Sequence, residues 1–245
     1  MLAVCAAIQW EIRPILQALQ TVRRERVDSV RVWRSLHPRQ PVLVFRTGMG
    51  WERAAASTRE VLNEFPVRAI LNTGCAGGLT ADLSVAAVVV STAVIAAADP
   101  ASVHSTDGVW SDRLYAAAEN AGLTASRGAT VTSRAVLNTS AAKQSAANAF
   151  GALAVDMEGA AIAEVAALRG VPFASARAIL DPLSVNIPLP VAQGKSCAPA
   201  SRPVSYLLNF AQFIPLARAG FSVHVALSRL FQVLFEDCFP DTGKV

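Results

Sequence analysis

The chain has 245 residues, 53% of them apolar and 16% charged, with a formal net charge of +4. That length and apolar share suit one α/β domain with a sizeable core and exclude a disordered chain. No uninterrupted apolar run reaches 18 residues, which argues against a membrane-spanning helix.

Residues 2–8 read as a buried strand. This apolar start lacks a basic flank and meets Glu11 too soon for a signal peptide, so the cytoplasm is the default location. Glu11 opens a helix expected to run to about residue 24, with Ile12, Ile15, Leu16, Leu19 and Val22 at helical spacing. Taken alone, Glu11 would complement the helix dipole. Residues 30–36 and 42–46 read as strands separated by a proline turn. Residues 1–60 carry ten Arg against five acids. These Arg are spread over several elements without interleaved aromatics, so a solvated basic face is expected and a nucleic-acid surface is not.

Thr47-Gly48-Met49-Gly50 joins the strand at 42–46 to a helix over 52–65. A glycine turn between strand and helix exposes backbone N–H groups to an anion, although most such turns only reverse the chain. Residues 69–72 form a further strand that runs into a glycine-rich turn, Thr73-Gly74-Cys75-Ala76-Gly77-Gly78. There the backbone can approach a flat ligand with no β-carbons in the way. Residues 85–91, nearly all Val and Ala, suit a strand covered on both faces. A polar loop over 98–108, a helix over 111–121, a strand over 129–132 and a helix over 140–150 follow.

The apolar run 152–155 then stops at Asp156 and Glu158, an Ala-rich helix follows, and a second apolar run, 173–180, ends in Asp181 before Pro182. Open α/β sheets bind ligands at the carboxyl ends of their strands. Asp156, Glu158, Arg177 and Asp181 are therefore candidates for one site. Singly, Asp156 would cap the helix and Glu158 would add favourable charge to its first turn.

Residues 183–203 are proline-rich and read as a loop. Two helical segments are expected after it, 204–217 and 221–239, carrying Tyr206, Phe210, Phe213, Phe221, Phe231, Phe235 and Phe239. The second is amphipathic, with Ser222, Ser228, Arg229, Gln232 and Glu236 on its polar face. Packing on the core or on a partner subunit is the ordinary role for such a helix, and interfacial membrane contact is the alternative. Cys5, Cys75, Cys197 and Cys238 are scattered, as are His37, His104 and His224, so reduced thiols and no metal site are expected.

Two adjoining motifs, VDMEGAAIAEVA (residues 155–166) and PFASARAILD (residues 172–181), resemble the superfamily of purine nucleoside phosphorylases and methylthioadenosine/S-adenosylhomocysteine nucleosidases. VCAAIQWE (residues 4–11) resembles its first strand and following acid, and LNTGCAGGL (residues 71–79) its glycine-rich segment. The resemblance covers roughly residues 2–183, and the combination is specific where each piece alone is weak. It implies a phosphorylase/hydrolase-like α/β fold, a three-layer αβα sandwich around a twisted mixed central sheet. Residues 1–183 would be the nucleoside-cleaving core and 184–245 a loop and helical extension of the same domain.

The implied activity is cleavage of the N-glycosidic bond of a purine nucleoside. Asp181 would serve the leaving base as acid, and Glu11 would activate the nucleophile, steadied by Arg177. Glu158 would accept the ribose hydroxyls with Asp156 beside it, and Met157 would pack under the sugar. Ala76 and Gly77 would line the base, and Val136 and Leu137 would meet the purine where the nucleosidases place an aromatic. Thr47 and Gly48 would lie near the ribose or phosphate. Cys75 stands where the nucleosidases usually have Ser, a poorer hydrogen-bond donor beside the nucleophile. The short segment 98–108 implies an open side at the ribose 5′ carbon.

No cofactor is expected. Inorganic phosphate enters only as the co-substrate of a phosphorolytic alternative, for which Arg46, Arg53 and Arg177 are the available cations. The phosphate loop of many phosphorylases is missing and Glu11 would repel a phosphate dianion, which favours water. The proline after Asp181 and the long apolar tail also resemble hopanoid-associated phosphorylases, whose substrate would be an adenosylated lipid. A nucleoside-binding protein without activity is a third reading, opposed by the presence of Glu11, Glu158 and Asp181 together. A homo-oligomer is implied by resemblance alone.

Overall fold

The computed structural model describes residues 1–19, 21–37, 40–187 and 203–240, with side chains of the last helix from residue 215 onward. Ten strands form one mixed sheet in the order β10-β6-β8-β9-β5-β1-β4-β3-β2, with β7 on the free edge of β6 and β10 also pairing β5. The strands are β1 Leu2–Ala6, β2 Val22–Val27, β3 Val30–Ser35, β4 Val42–Arg46, β5 Ala69–Gly78, β6 Val88–Ala96, β7 Asp99–Ser105, β8 Ala125–Thr132, β9 Ala154–Asp156 and β10 Phe173–Asp181. Among the described residues the helices are α1 Gln9–Gln17, α2 Trp51–Glu64, α3 Gly108–Asn120, α4 Ser140–Phe150, α5 Gly159–Leu168 and α6 Pro203–Cys238.

The central strands are apolar throughout because both faces are covered, as parallel pairing with helical crossovers requires. One face packs against α1, α3 and α6, through Ile12, Ile15, Leu114 and a stripe on α6. The other packs against α2 and α5, through Ala54, Val61, Ile162 and Val165. This is the three-layer αβα sandwich that the sequence implied. The stripe on α6, Val223, Leu227, Leu230, Phe231, Leu234 and Phe235, recurs every three to four residues and is buried. From residue 215 onward that helix is thus a core helix, with Gln232 and Glu236 on its exposed face.

Strand β5 organises the sheet. Its first half pairs in parallel with β1, Ala69 opposite Leu2 through Asn72 opposite Cys5. Its last residues leave β1 and pair antiparallel with β9, Gly77 opposite Val155. The change of partner falls at Gly74, whose φ of +129° is open to glycine and strained for other residues. The expected glycine turn after residue 72 is therefore a curling continuation of the strand. On its other side β10 follows β5 in register until a bulge between Ile179 and Asp181. Such a bulge re-aims the side chains that follow it.

Several expected boundaries move. The first helix stops at Gln17, because Val22 to Val27 pair with Val30 to Ser35 in a hairpin whose turn residue Asp28 has φ +47°. Val22 continues the helical period in sequence but belongs to β2. The Arg of that region line this hairpin, where charge on an edge strand discourages pairing with another chain. The expected loop 98–108 contains β7, which pairs with β6 where β10 has left it. Its polar composition reflects an edge strand with one solvated face. The two expected C-terminal helices are one continuous helix of 36 residues opening on Pro203, a favoured first helical residue. Most of the expected loop over 183–203, from residue 188 to 202, lies outside the described residues.

Candidate active site

The ends of β1, β5, β9 and β10 surround one cavity of about 550 Å³. Glu11, Glu158 and Asp181 all border it, as do Asp156, Met157, Cys75, Ala76, Gly77, Val136 and Leu137. Three expected residues do not. Arg177 and Thr47 are buried away from its lining, and Gly48 does not reach it.

Glu11 sits in the first turn of α1, immediately after β1. Its Oε2 accepts hydrogen bonds from the backbone N–H of Ala7 and Ile8, each at 3.1 Å, and its Oε1 accepts one from Cys75 at 2.8 Å. The helix-terminus role read from the sequence is thus real, and the Cys75 contact ties the carboxylate to β5 as well. A β-carbon on Gly74 would lie 2.7 Å from Glu11 Oε1. Glycine there serves the backbone conformation and clears the carboxylate.

Arg177 on β10 donates from Nη1 to the carbonyl of Thr73 at 2.9 Å and from Nη2 to Asp156 Oδ2 at 2.5 Å. Glu158 Oε2 lies 4.0 Å from the same Nη2. Burial works against its charge, but Asp156, Glu158 and Glu11 outweigh burial and hold the guanidinium more firmly protonated than usual. Asp156 is fully engaged: besides Arg177 it accepts from Thr132 Oγ1 at 2.6 Å and from the N–H of Gly159. It holds Arg177 and the start of α5 in place, which leaves little of it for a ligand.

Glu158 accepts from the N–H of Gly50 at 2.8 Å. Burial pushes its carboxyl up to about 7, with Arg177 pulling it down and Asp156 pushing it further up. This bond corrects the expectation for the turn at residues 47–50: its amide is turned to Glu158, and Met49, not Thr47 or Gly48, reaches the cavity. Thr47 Oγ1 instead bonds the carbonyl of Gly48 at 3.0 Å.

Asp181 follows the bulge at the end of β10. Burial raises its carboxyl to about 6, opposed by an ammonium, Lys143 Nζ, 2.6 Å from Oδ2. Gly77 leaves room for it, since a β-carbon there would lie 3.1 Å from Oδ2. Beside Glu11, burial and then that carboxylate push the Cys75 thiol well above its ordinary range, so it stands as a neutral S–H.

Sequence reasoning missed Lys143, which reads as one more polar residue on a surface helix. It also missed the apolar wall made by Trp10, Met49, Leu180, Ile187 and, on α6, Leu216 and Gly220. Residues 98–108 supply nothing to the cavity, whereas α6 does. Arg46 and Arg53 do not border it either, which leaves no cation among the described residues that is free of a carboxylate there. No cluster of His, Cys, Asp or Glu arranged to hold a metal occurs among the described residues.

The family model of the phosphorylase superfamily matches residues 2–192. The 5′-methylthioadenosine/S-adenosylhomocysteine nucleosidase of Bacillus velezensis is 28% identical over 196 residues, 74% of this chain and 85% of that protein. Its namesake from Staphylococcus aureus is 27% identical over 203 residues, 74% and 86% of the two chains. A Helicobacter pylori nucleosidase mutant crystallised with 5′-methylthioadenosine in its active site superposes with a TM-score of 0.76, at 19% identity over 96% of this chain and 98% of that one. Helicobacter pylori futalosine hydrolase gives 0.74, at 18% identity and 94% and 96% coverage. At those identities the solved structures establish the shared fold.

Proposed function

The chain belongs to the phosphorylase superfamily and is a glycosyl-bond-cleaving enzyme, and from that premise we propose that it releases adenine from a nucleoside by acid-assisted attack of water at C1′. The observation that carries this reading is the convergence of Glu11, Glu158 and Asp181 on one cavity from three separate parts of the chain. Glycosidic cleavage needs two carboxyl groups flanking the scissile bond and a site that stabilises positive charge on the sugar.

Asp181 stays protonated to about pH 6 and gives that proton to N7 of the purine. The electrons of the C1′–N9 bond pass into the base, which leaves as neutral adenine. Glu11 takes a proton from the water whose oxygen bonds C1′, and the sugar departs with a free anomeric hydroxyl. Held by three backbone amides, the Glu11 carboxylate keeps its orientation through this step. Glu158 accepts from both vicinal ribose hydroxyls, a bidentate contact suited to an ionised carboxylate. Met157 lies under the ribose, Ala76 and Gly77 against the base edge, and Val136 and Leu137 against the purine face. Arg177, tied to Asp156 and close to Glu158, keeps this cluster of acids tolerable at close quarters.

Water is favoured over phosphate because, among the described residues, the cations near the cavity, Arg177 and Lys143, already pair with carboxylates. No cofactor is required by this chemistry. The reading also places the enzyme in the cytoplasm as a homo-oligomer.

A second reading rests on the apolar wall. Trp10, Met49, Leu216 and Gly220 make one side of the cavity, and Phe221, next on α6, is 71% exposed. An adenosylated lipid such as adenosylhopane would lay its hydrocarbon there, with α6 resting on a membrane surface and phosphate as co-substrate. Among the described residues no helix is long and apolar enough to cross a membrane.

One assay series separates these readings. Adenine release is followed from methylthioadenosine, adenosylhomocysteine and adenosine, with inosine as a purine control, each with and without phosphate, alongside sedimentation with anionic vesicles. Phosphate-independent release with no vesicle binding supports the first reading. Release only from an adenosylated lipid, with phosphate and vesicle binding, supports the second.

A further inference from the structure

Helix α4 lies mostly exposed at the edge of the fold, and its one fully buried side chain is a lysine. Lys143 has no accessible surface, whereas its neighbours Ala141, Gln144 and Ser145 are exposed. Besides Asp181 Oδ2 at 2.6 Å, its Nζ faces the carbonyls of Asp181 at 3.0 Å, Pro182 at 2.9 Å and Val185 at 2.9 Å. Four acceptors surround three N–H donors, so the ammonium is fully satisfied.

Taking an ammonium out of water is costly, and a well-packed apolar side chain would tie a helix to a turn at least as well. A charge in that place needs a reason that packing does not supply. The same turn is stitched to the base-facing segment: Ile187 N–H donates to the carbonyl of Asn138 at 2.9 Å and Ser140 N–H to Asn186 Oδ1 at 2.8 Å. Val136 and Leu137, which border the cavity, lead directly into Asn138.

We propose that Lys143 is the positioning residue of the acid: it occupies Oδ2 of Asp181, leaves Oδ1 to meet the leaving purine, and stabilises the carboxylate formed when the proton has been given up. This rests on the proposed acid role of Asp181. Proton transfer to the purine turns a neutral carboxyl into an anion in a largely apolar cavity, and a fixed ammonium favours that change more than any solvent could there. Other titratable groups near Asp181 are Cys75 on β5 and, bordering the same cavity, Glu11 and Glu158. None of them is a cation, so Lys143 alone acts in this direction among the described residues.

The test compares wild type with Lys143→Met and Lys143→Arg, after thermal melting has established that each is folded. Two quantities are read: the pH profile of nucleoside cleavage, and the titration of the Asp181 carboxyl by ¹³C NMR in protein without substrate, assigned with Asp181→Asn. Lys143→Met should lower kcat by about a hundredfold with KM within a few-fold. It should also move the Asp181 titration, and the matching limb of the profile, upward by about one pH unit or more. Lys143→Arg should keep the titration near its wild-type position and lose about tenfold in kcat, because a planar fork cannot reproduce four contacts around one nitrogen.

An unshifted titration in Lys143→Met, or wild-type kcat in either variant, overturns the proposal. If Lys143→Met does not fold, Lys143→Arg decides by its kcat. If no nucleoside is cleaved yet the titration shifts, the functional reading fails while the coupling of Lys143 to Asp181 stands.

Discussion

Two buried carboxylates bordering the cavity are held in opposite ways. Glu11 is held by three backbone amides, those of Ala7 and Ile8 after β1 and of Cys75 on β5. Asp181 is held by a single side-chain cation delivered from a helix. Neutral, rigid donors fix an acceptor in place without cancelling its charge, which suits a group that must take a proton from water. An ammonium beside a buried carboxyl sets how readily a proton is released, which suits a group that must give one away. The cavity separates the two jobs by the kind of partner each acid is given.

That contrast fixes what substitutions should do. Glu11→Gln has the largest expected effect: it removes the base and turns an amide NH₂ toward backbone N–H groups. It should lower kcat by 10²- to 10⁴-fold, the usual worth of a positioned base, with a clear fall in melting temperature. Asp181→Asn should cost as much in kcat, and its descending pH limb should vanish, whereas loss of Glu11 should leave that limb in place. Steady-state kinetics across pH read both.

Gly74→Ala comes next, because its β-carbon meets the Glu11 carboxylate and its φ of +129° excludes ordinary residues. A loss of about 1–3 kcal/mol in stability is expected, together with a fall in kcat that exceeds any change in KM. Chemical denaturation and kinetics on one preparation check both halves.

The pH profile of the unmodified enzyme is a milder test. With Asp181 raised to about 6, the acid is in its working form below that pH and loses its proton above it. With Glu158 raised to about 7, the carboxylate that accepts the ribose hydroxyls forms only as pH rises through that value. kcat/KM should therefore be bell-shaped with its maximum between about pH 6 and 7. A flat profile from pH 5 to 8 would remove one of these groups from its role. The smallest effect belongs to the β2–β3 hairpin, where Arg34 and Glu25 pair at 2.9 Å on a partly exposed edge. Arg34→Ala should cost under about 1 kcal/mol and leave activity unchanged.

Much of this architecture could be read from local pattern. The apolar runs ending in Asp156 and Asp181 are strand ends, and Glu11 stands in a first helical turn as its position after an apolar run implies. What escaped depends on partners distant in the chain. Val22 fits a helical period but pairs with Ser35, and Asp99 to Ser105 have loop composition but complete the edge of β6. Thr47 and Gly48 looked like anion donors because nothing local shows that the turn's amide is directed at Glu158, more than a hundred residues on. Lys143, in an alanine-rich helix of low apolar contrast, carries no local sign of burial. Its meaning comes from a turn some forty residues later.

The most direct test of the central claim is a single-turnover reaction with an adenine nucleoside in ¹⁸O-labelled water, with products identified by mass spectrometry. The account predicts free adenine and a sugar carrying ¹⁸O at C1, at a rate that phosphate does not change. Formation of a sugar 1-phosphate that requires phosphate, or no adenine release from any nucleoside while Glu11, Glu158 and Asp181 are intact, would contradict it.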